Sequence, residues 1–586
     1  MTDMAGIGFP DYLVITAYFA LIVFAGFYFS KYIKQAKDFF AAGNIMPWWL
    51  AGTSYFMASF STLLFVIYNQ IAYEYGFVAV TVCWIGATSM FISGHFLAHR
   101  WRRARILTPV EFMERRYSKG IHQLFVWMGF PLRLLDNGLK IFSTAIVVTM
   151  AVNHPAVTFN RFVIIIGIIM IAYTYLGGQL AVIITDFVQA IIIAFAVSML
   201  FFLTIARIDS FSTFFASLPD GFFLPMKKPY DWSYLLFTSF AISFMSYASS
   251  WSVVQKYNCV RSEHDARKMV SYITTLKFIT PPIFFVPGLV GRYLVPNIEN
   301  TRAAYAIISL KILPVGLMGF LLAALFSATM STLGSEYNTL SGVLTRDFYR
   351  KKIRPDASER EEILFGRFAT VLIGAITVLF AIFLHYVPQL NLMDIMFRMF
   401  SAFGPPIMVP TIIGLLFRRF NARGVKWGVI AGIVVGVLLH SLNMYLVGRY
   451  AELMDVNERV NFWLRSGWTS VSTMSSILIV ILGMWLGTVF GETSEEEKAN
   501  VDDFFSDIDR PFELVPEEKG AVSPFRIIGL LLILFGMVMI LVSVFIGVYY
   551  GDMRALALDF LVGASMALLG CFLRWRGHKA VSSGGA

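Results

Sequence analysis

The chain has 586 residues, 57% hydrophobic and only 14% charged, with a mean hydropathy of +0.69. Soluble domains carry roughly 25% charged residues, so this composition excludes a soluble globular protein and indicates one that crosses a membrane many times. The formal charge of +10 is spread between apolar segments and sits on no basic soluble domain, which argues against a nucleic-acid partner. Cys83, Cys259 and Cys571 are too scattered for a disulfide framework and the eight histidines show no ligand spacing, so the pattern supports no metal-dependent or other enzyme.

Read in chain order as apolar stretches of about 20 residues, the sequence predicts fifteen membrane helices. They fall at 11–30, 48–72, 77–97, 123–152, 159–178, 180–206, 234–255, 270–294, 310–344, 364–386, 393–417, 424–447, 470–491, 525–549 and 554–573. The opening MTDMAGIGFPDY lacks a basic n-region and no small-residue cleavage site follows the first stretch, which therefore reads as a retained helix rather than a signal peptide. Basic residues recur at alternate connections. Lys31, Lys34 and Lys37 follow the first span, Arg100, Arg102, Arg103 and Arg105 the third, and Lys256, Arg261, Arg267 and Lys268 the seventh. Arg346, Arg350, Lys351, Lys352 and Arg354 follow the ninth, and Arg418, Arg419, Arg423 and Lys426 the eleventh. The positive-inside rule assigns these connections to the cytoplasm, the N-terminus to the outside and the C-terminal RWRGHK to the inside of a cell or inner membrane. The acidic stretch Gly491–Gly520 reads as a solvated cytoplasmic linker.

The segment GFLLAALFSATMSTLGSEYNTLSGVLTRDFYR, ending at Arg350, carries small hydroxyls through an apolar helix. Ala328, Ser331, Thr332 and Ser335 fall at i, i+3, i+4 and i+7, so a backbone carbonyl and three hydroxyl side chains share one helical face. Uncharged oxygens suit an alkali-metal ion that must be released again, because crowded carboxylates would hold it too tightly. Close helix packing is the competing reading of the same stripe.

Four segments together resemble the sodium/solute symporter family: DFFAAGNIMPWWLAGTSYFMASFST (Asp38–Thr62), YTYLGGQLAVIITDFVQ (Tyr173–Gln189), VVQKYNCVRSEHDARK (Val253–Lys268) and the Ala328–Arg350 segment. The resemblance implies an all-α leucine-transporter fold, with ten core helices in two inverted five-helix repeats and core helices 1 and 6 interrupted near the midplane. The chain would then comprise an N-terminal extra helix with its loop (1–47), a first repeat (48–206), an outer loop (207–233) and a second repeat (234–417). Two accessory helices (418–490), an acidic loop (491–523) and two C-terminal helices with a tail (524–586) would follow. The first interruption would lie near Ala58–Thr62, where no Gly or Pro marks it but Ser59, Ser61 and Thr62 could bond to freed backbone groups. The implied activity is sodium-coupled import of a small solute. By resemblance the Na⁺ ligands are the carbonyls of Met57, Phe60 and Ala328 and the hydroxyls of Ser331 and Thr332. A second Na⁺ site in some relatives maps onto Asp186 and Ser335. Gly334 replaces a hydroxyl residue there, so one Na⁺ is the preferred reading and Asp186 could instead be a gate or a structural anion.

Lys277 matches a lysine that sugar-carrying members place on core helix 7, while Ser59, Leu64, Ser243 and Phe397 stand where galactose and glucose carriers have amides or acids. Arg133, Asp136 and Lys140 share one face of core helix 3; the first two are expected to neutralise each other and leave Lys140 over. Asp394 and Arg398 at i and i+4 read either as an ion pair or as solute contacts. A surplus cation would suit a carboxylate, and Tyr68, Asn69, Gln70 and Tyr73 could supply hydroxyl and stacking contacts to a sugar ring. The expectation is a symporter, not an enzyme, whose partners are Na⁺, a sugar or sugar acid and the bilayer. A monocarboxylate or amino-acid symporter is the alternative, and a sensor built on a transporter-like core is the reading from another class.

Overall fold

The computed structural model describes residues 7–30, 46–106, 108–152, 158–386, 392–511 and 524–583. Among them the chain is helical throughout, with two isolated bridges and no strand. The elements are α1 (Phe9–Ser30), α2 (Trp48–Ala58), α3 (Thr62–Tyr75), α4 (Val78–Arg103), α5 (Lys119–Val152) and α6 (Phe159–Ile205). A π-helical turn at Leu235–Phe240 then leads into α7 (Ala241–Ser249), α8 (Trp251–Cys259), α9 (Glu263–Leu294), α10 (Leu317–Val343) and α11 (Glu359–His385). The chain ends through α12 (Leu392–Leu416), α13 (Ala422–Arg449), α14 (Trp468–Val489), α15 (Glu495–Asp509), α16 (Pro524–Tyr549) and α17 (Met553–Ser583).

Thirteen helical segments are long and apolar enough to cross a membrane, and the pair α2–α3, bent by 64°, makes a fourteenth. The remaining predicted span, 234–255, is the π-turn, α7 and α8, broken at Ser250, which takes an extended conformation (φ −68°, ψ 143°). Core helices 1 and 6 of the resemblance are thus the two discontinuous ones. α6 supplies two spans hinged at Gly178, whose φ of 50° and ψ of −157° are open only to glycine without strain.

α10 is the axis of the bundle. Every residue from Leu317 to Val343 is buried, and α1, α5, α6, α11 and α2 pack around it. A helix that meets protein on all sides can carry Ser, Thr, Asn and Glu, since none of them faces lipid. The outer pairs are built differently. On α13 and α14 a Cβ at Gly483 would stand 2.8 Å from the Cα of Gly428, and one at Gly487 2.9 Å from that of Gly424, so small residues four apart let the two backbones touch.

Two expectations change here. The acidic stretch holds α15, whose N-cap Ser494 accepts from Glu497 N and whose Phe504, Phe505 and Ile508 are buried. Arg105 and Arg115 meet Asp507 at 2.6 and 2.7 Å, and Arg418 meets Asp509 at 2.9 Å. Glu495–Asp509 is thus an amphipathic helix tied to neighbouring elements rather than a solvated linker. Likewise Arg102 is not a free loop cation: it is buried in the last turn of α4, and its Nε donates to Val260 O at 2.8 Å.

Candidate ion and solute site

The break between α2 and α3 is made by serines and a threonine. Ser59 ends α2 and its Oγ donates to Phe56 O at 2.7 Å, while Ser61, in an extended conformation, starts α3. Thr62 N donates to Thr329 Oγ1 at 3.1 Å and Thr62 Oγ1 donates to Leu325 O at 2.8 Å, so α10 itself satisfies groups that the break frees. Thr329 also meets Thr144 of α5 at 2.8 Å, a contact that sequence spacing did not single out.

One turn further along α10, Thr332 Oγ1 lies 3.0 Å from Ala328 O, 3.5 Å from Met57 O and in contact with Phe60 O. One hydroxyl proton therefore faces three carbonyl oxygens. Ser331 is fully buried, with its Oγ beside the Asp186 carboxylate. Four of the five expected sodium ligands thus converge on one point and the fifth side chain is adjacent. Phe60 N also donates to Met57 O at 3.0 Å, and the remaining lone pairs make a cluster of uncharged oxygens of the kind that an alkali-metal ion shares.

Asp186 and Ser335, the candidates for a second ion, have different surroundings. Asp186 accepts from Ser54, Ser54 Oγ accepts from Lys256 Nζ at 2.6 Å, and Lys256 lies 3.8 Å from Asp186, all three being buried. Lys256 was counted with the loop cations. It lies instead inside α8, where every residue is buried, because the broken helix continues past the apolar stretch. A cation flanked by Val253, Val254 and Tyr257 was the available signal. Ser335 Oγ is buried without a partner, and a Cβ at Gly334 would stand 3.2 Å from Tyr173 and 3.7 Å from Thr174 Oγ1.

Beside the break lies a cavity of about 320 Å³ lined by Ser59, Leu64, Tyr68, Arg133, Asp136, Lys140, Ser243, Ser246, Tyr247, Thr332 and Glu336, with Phe403 and Met408 of α12 opposite. Its charges pair otherwise than expected. Lys140 meets Asp136 at 2.7 Å, and Arg133 reaches across to Glu336 of α10 at 2.9 and 3.1 Å while covering the Trp251 ring at 4.6 Å. The i, i+4 pair on α5 replaces the i, i+3 pair, and Lys140 is not left over. Glu336 was missed; an acid four residues after Thr332 on the hydroxyl face was its signature.

Lys277 stands behind the wall rather than in it. Its Nζ donates to Tyr247 Oη at 2.8 Å and lies 5.4 Å from the Phe60 ring, and both partners line the cavity. Asn69, Gln70 and Tyr73 do not line this cavity and are engaged elsewhere. Asn69 Oδ1 accepts from Gly288 N at 3.1 Å, Gln70 donates to Glu74 and Thr301 at 3.0 and 3.1 Å, and Tyr73 Oη donates to Val295 O at 2.8 Å. Their faces of α3 are taken up by α9 and the segment after it. The expectations for Asp394, Phe397 and Arg398 fall on side chains outside those described.

The family model described as "Sodium:solute symporter family" matches residues 39–432. The sodium/sialic acid symporter NanT of Aliivibrio fischeri is 26% identical over 469 residues, 77% of this chain and 92% of that protein. The sodium/glucose cotransporter of Vibrio parahaemolyticus is 23% identical over 475 residues, 74% of this chain and 86% of that protein. A solved Na⁺-coupled sialic acid symporter, in a substrate-bound outward-open state, aligns with a TM-score of 0.69 at 20% identity over 83% of this chain and 99% of that one.

Proposed function

This chain belongs to the sodium:solute symporter family, and on that premise we propose that it carries a sugar or sugar acid, with Na⁺ bound between the α2–α3 break and α10. The ion's ligands are the carbonyls of Met57, Phe60 and Ala328 and the hydroxyls of Ser331 and Thr332. The observation that carries this is the single Thr332 proton facing three carbonyl oxygens. Lys256 already neutralises Asp186, which favours one Na⁺ per cycle. The N-terminus lies outside, so the basic ends of the helices face the cytoplasm.

The solute occupies the adjacent cavity, where Ser59, Tyr68, Ser243 and Tyr247 offer hydroxyls to a polyhydroxylated ring. Because the four cavity charges form two pairs, a neutral sugar meets no unbalanced field. A sugar acid gains a cation only by drawing Lys140 or Arg133 from its carboxylate. Lys277 positions Tyr247. Na⁺ orders the junction of α2, α3 and α10, the solute closes over it, and the two together favour the inward-opening state. One elementary charge crossing 100 mV contributes about 2.3 kcal/mol, enough for roughly 50-fold accumulation.

Uptake into proteoliposomes with an imposed Na⁺ gradient tests both parts. Sialic acid, glucose and galactose are compared with and without Na⁺ at fixed pH. A Na⁺ Hill coefficient near one is expected; a value approaching two, with a charge-to-solute ratio of two, overturns the single-ion reading. Uptake driven equally well without Na⁺ overturns the assigned ion site.

A further inference from the structure

At the start of α10, far along the helix from the ion ligands, two buried carboxylates meet. Asp11 of α1 is 1% exposed. Its Oδ1 accepts from Gly316 N and Gly319 N at 2.8 and 2.6 Å and its Oδ2 from Gly8 N at 2.9 Å. It thereby caps α10, satisfying free amide groups at the positive end of the helix. Asp559 of α17 is 0% exposed, and neither of its carboxyl oxygens has a hydrogen-bond partner. It lies against the same glycine: a Cβ at Gly316, whose φ is 91°, would stand 2.6 Å from Asp559 Oδ2 and 2.7 Å from Ile546 of α16.

The charged groups that face Asp559 are Asp11 and Asp552, both acidic, and Tyr12 adjoins Asp11. Among the described residues neither Asp11 nor Asp559 has an ion-pair partner. Two buried carboxylates set against the same glycine, with no cation beside them among the described residues, are not expected to ionise together. The donors decide which keeps its charge. Asp11 faces three N–H groups and a helix N-terminus, whereas Asp559 faces none.

We propose that Asp559, beside the amide-bound Asp11 carboxylate, is a proton-binding site, with one proton resident on Asp559. A metal ion fits less well, because the Asp11 oxygens already point at three amide protons. No group of three or more His, Cys, Asp or Glu residues suited to a metal occurs among the described residues. Residues 11 and 559 both lie outside the segment matched by the family model, so the site belongs to the helices added around the core. It fastens α1 and the α16–α17 hairpin to the helix that carries the ion-binding hydroxyls. Loss of the proton would set a second negative charge against Gly316 and loosen that attachment.

The test uses the purified full-length protein in nanodiscs, followed by infrared spectroscopy and thermal unfolding against pH. The wild type is expected to show a protonated-carboxyl C=O band at neutral pH that Asp559→Asn lacks. Its melting temperature is expected to fall at alkaline pH, where that of Asp559→Asn stays level. Should Asp559→Asn fail to fold, Asp11→Asn serves: without the neighbouring charge the proton is held less tightly, and the alkaline transition is expected at lower pH. Identical bands and identical alkaline profiles in wild type and Asp559→Asn overturn the proposal, as does an unmoved transition in Asp11→Asn. Stability that follows Na⁺ or K⁺ at constant pH, and loses that dependence in Asp559→Asn, also overturns it, in favour of a metal site.

Discussion

Two polar regions lie side by side against α2 and α10, and they are built on opposite principles. Around Thr332 the groups are neutral oxygens, with one hydroxyl proton facing three carbonyls and the buried Ser331 beside them. Around Asp186 the groups are charged, and the charge is closed by Lys256 through Ser54. On the proposed reading the first region takes a positive partner from solution and returns it. The second carries its cation on a tether, Lys256. Weak neutral ligands make an exchangeable ion site, whereas a full charge in the membrane interior demands a permanent partner.

The largest effect is expected where the tethered cation is removed. Lys256→Met strands Asp186 without a counterion, a loss of about 3–5 kcal/mol, and should sharply lower the melting temperature and yield of purified protein. Adding Asp186→Asn should recover much of both. A stable single mutant would show that Asp186 does not depend on Lys256.

The neutral region should respond in affinity rather than in folding. Ser331→Ala and Thr332→Ala each remove one proposed ligand, a loss on the order of 1–3 kcal/mol. Apparent Na⁺ affinity in uptake should fall at least tenfold while folded protein remains. Unaltered Na⁺ dependence in both would assign the hydroxyl face to packing alone.

Next come the cavity pairs. Lys140→Gln leaves Asp136 unpaired in the wall and should weaken an acidic solute more than its neutral analogue, by roughly 1.5–3 kcal/mol for a charge-assisted contact. Lys277→Gln should cause a modest loss for both, since its Tyr247 partner, not the lysine, lines the cavity. Direct binding to paired acid and neutral ligands reads this out, and equal losses in Lys140→Gln would remove the carboxylate from consideration.

The smallest effect belongs outside the membrane interior. Asp507→Asn cuts the ties from Arg105 and Arg115 to α15, exposed pairs worth about 0.2–1 kcal/mol each. It should lower thermal stability slightly, and high salt should mimic the change in the wild type. A large loss would mean that α15 holds the bundle through those charges rather than through Phe504, Phe505 and Ile508.

The sequence by itself determined most of the spans, since apolar length is a local property: thirteen helices are long and apolar enough to cross a membrane and the bent α2–α3 pair makes a fourteenth, whereas 234–255 is broken at Ser250. It also determined the hydroxyl face from Ala328 to Ser335, because residues three and four apart share a helical face wherever the helix lies. It marked Arg133, Asp136 and Lys140 as neighbours for the same reason. Only the tertiary structure decided the partners. Arg133 goes to Glu336, on a helix some two hundred residues later in the chain, and this frees Asp136 for Lys140. Lys256 reads as a loop cation until the break at Ser250 is seen to prolong its helix into the interior. Asn69 and Tyr73 read as candidates for solute contact from the sequence, and the structure gives their polar atoms to Gly288 and Val295. Asp11 and Asp559, at opposite ends of the chain, come together only because both reach Gly316, the residue before α10. Helical periodicity fixes which side chains stand together on one surface. Which surface they meet depends on how the helices pack, and in a low-dielectric interior it is that meeting which decides whether a charge is paired, protonated or left open for an ion.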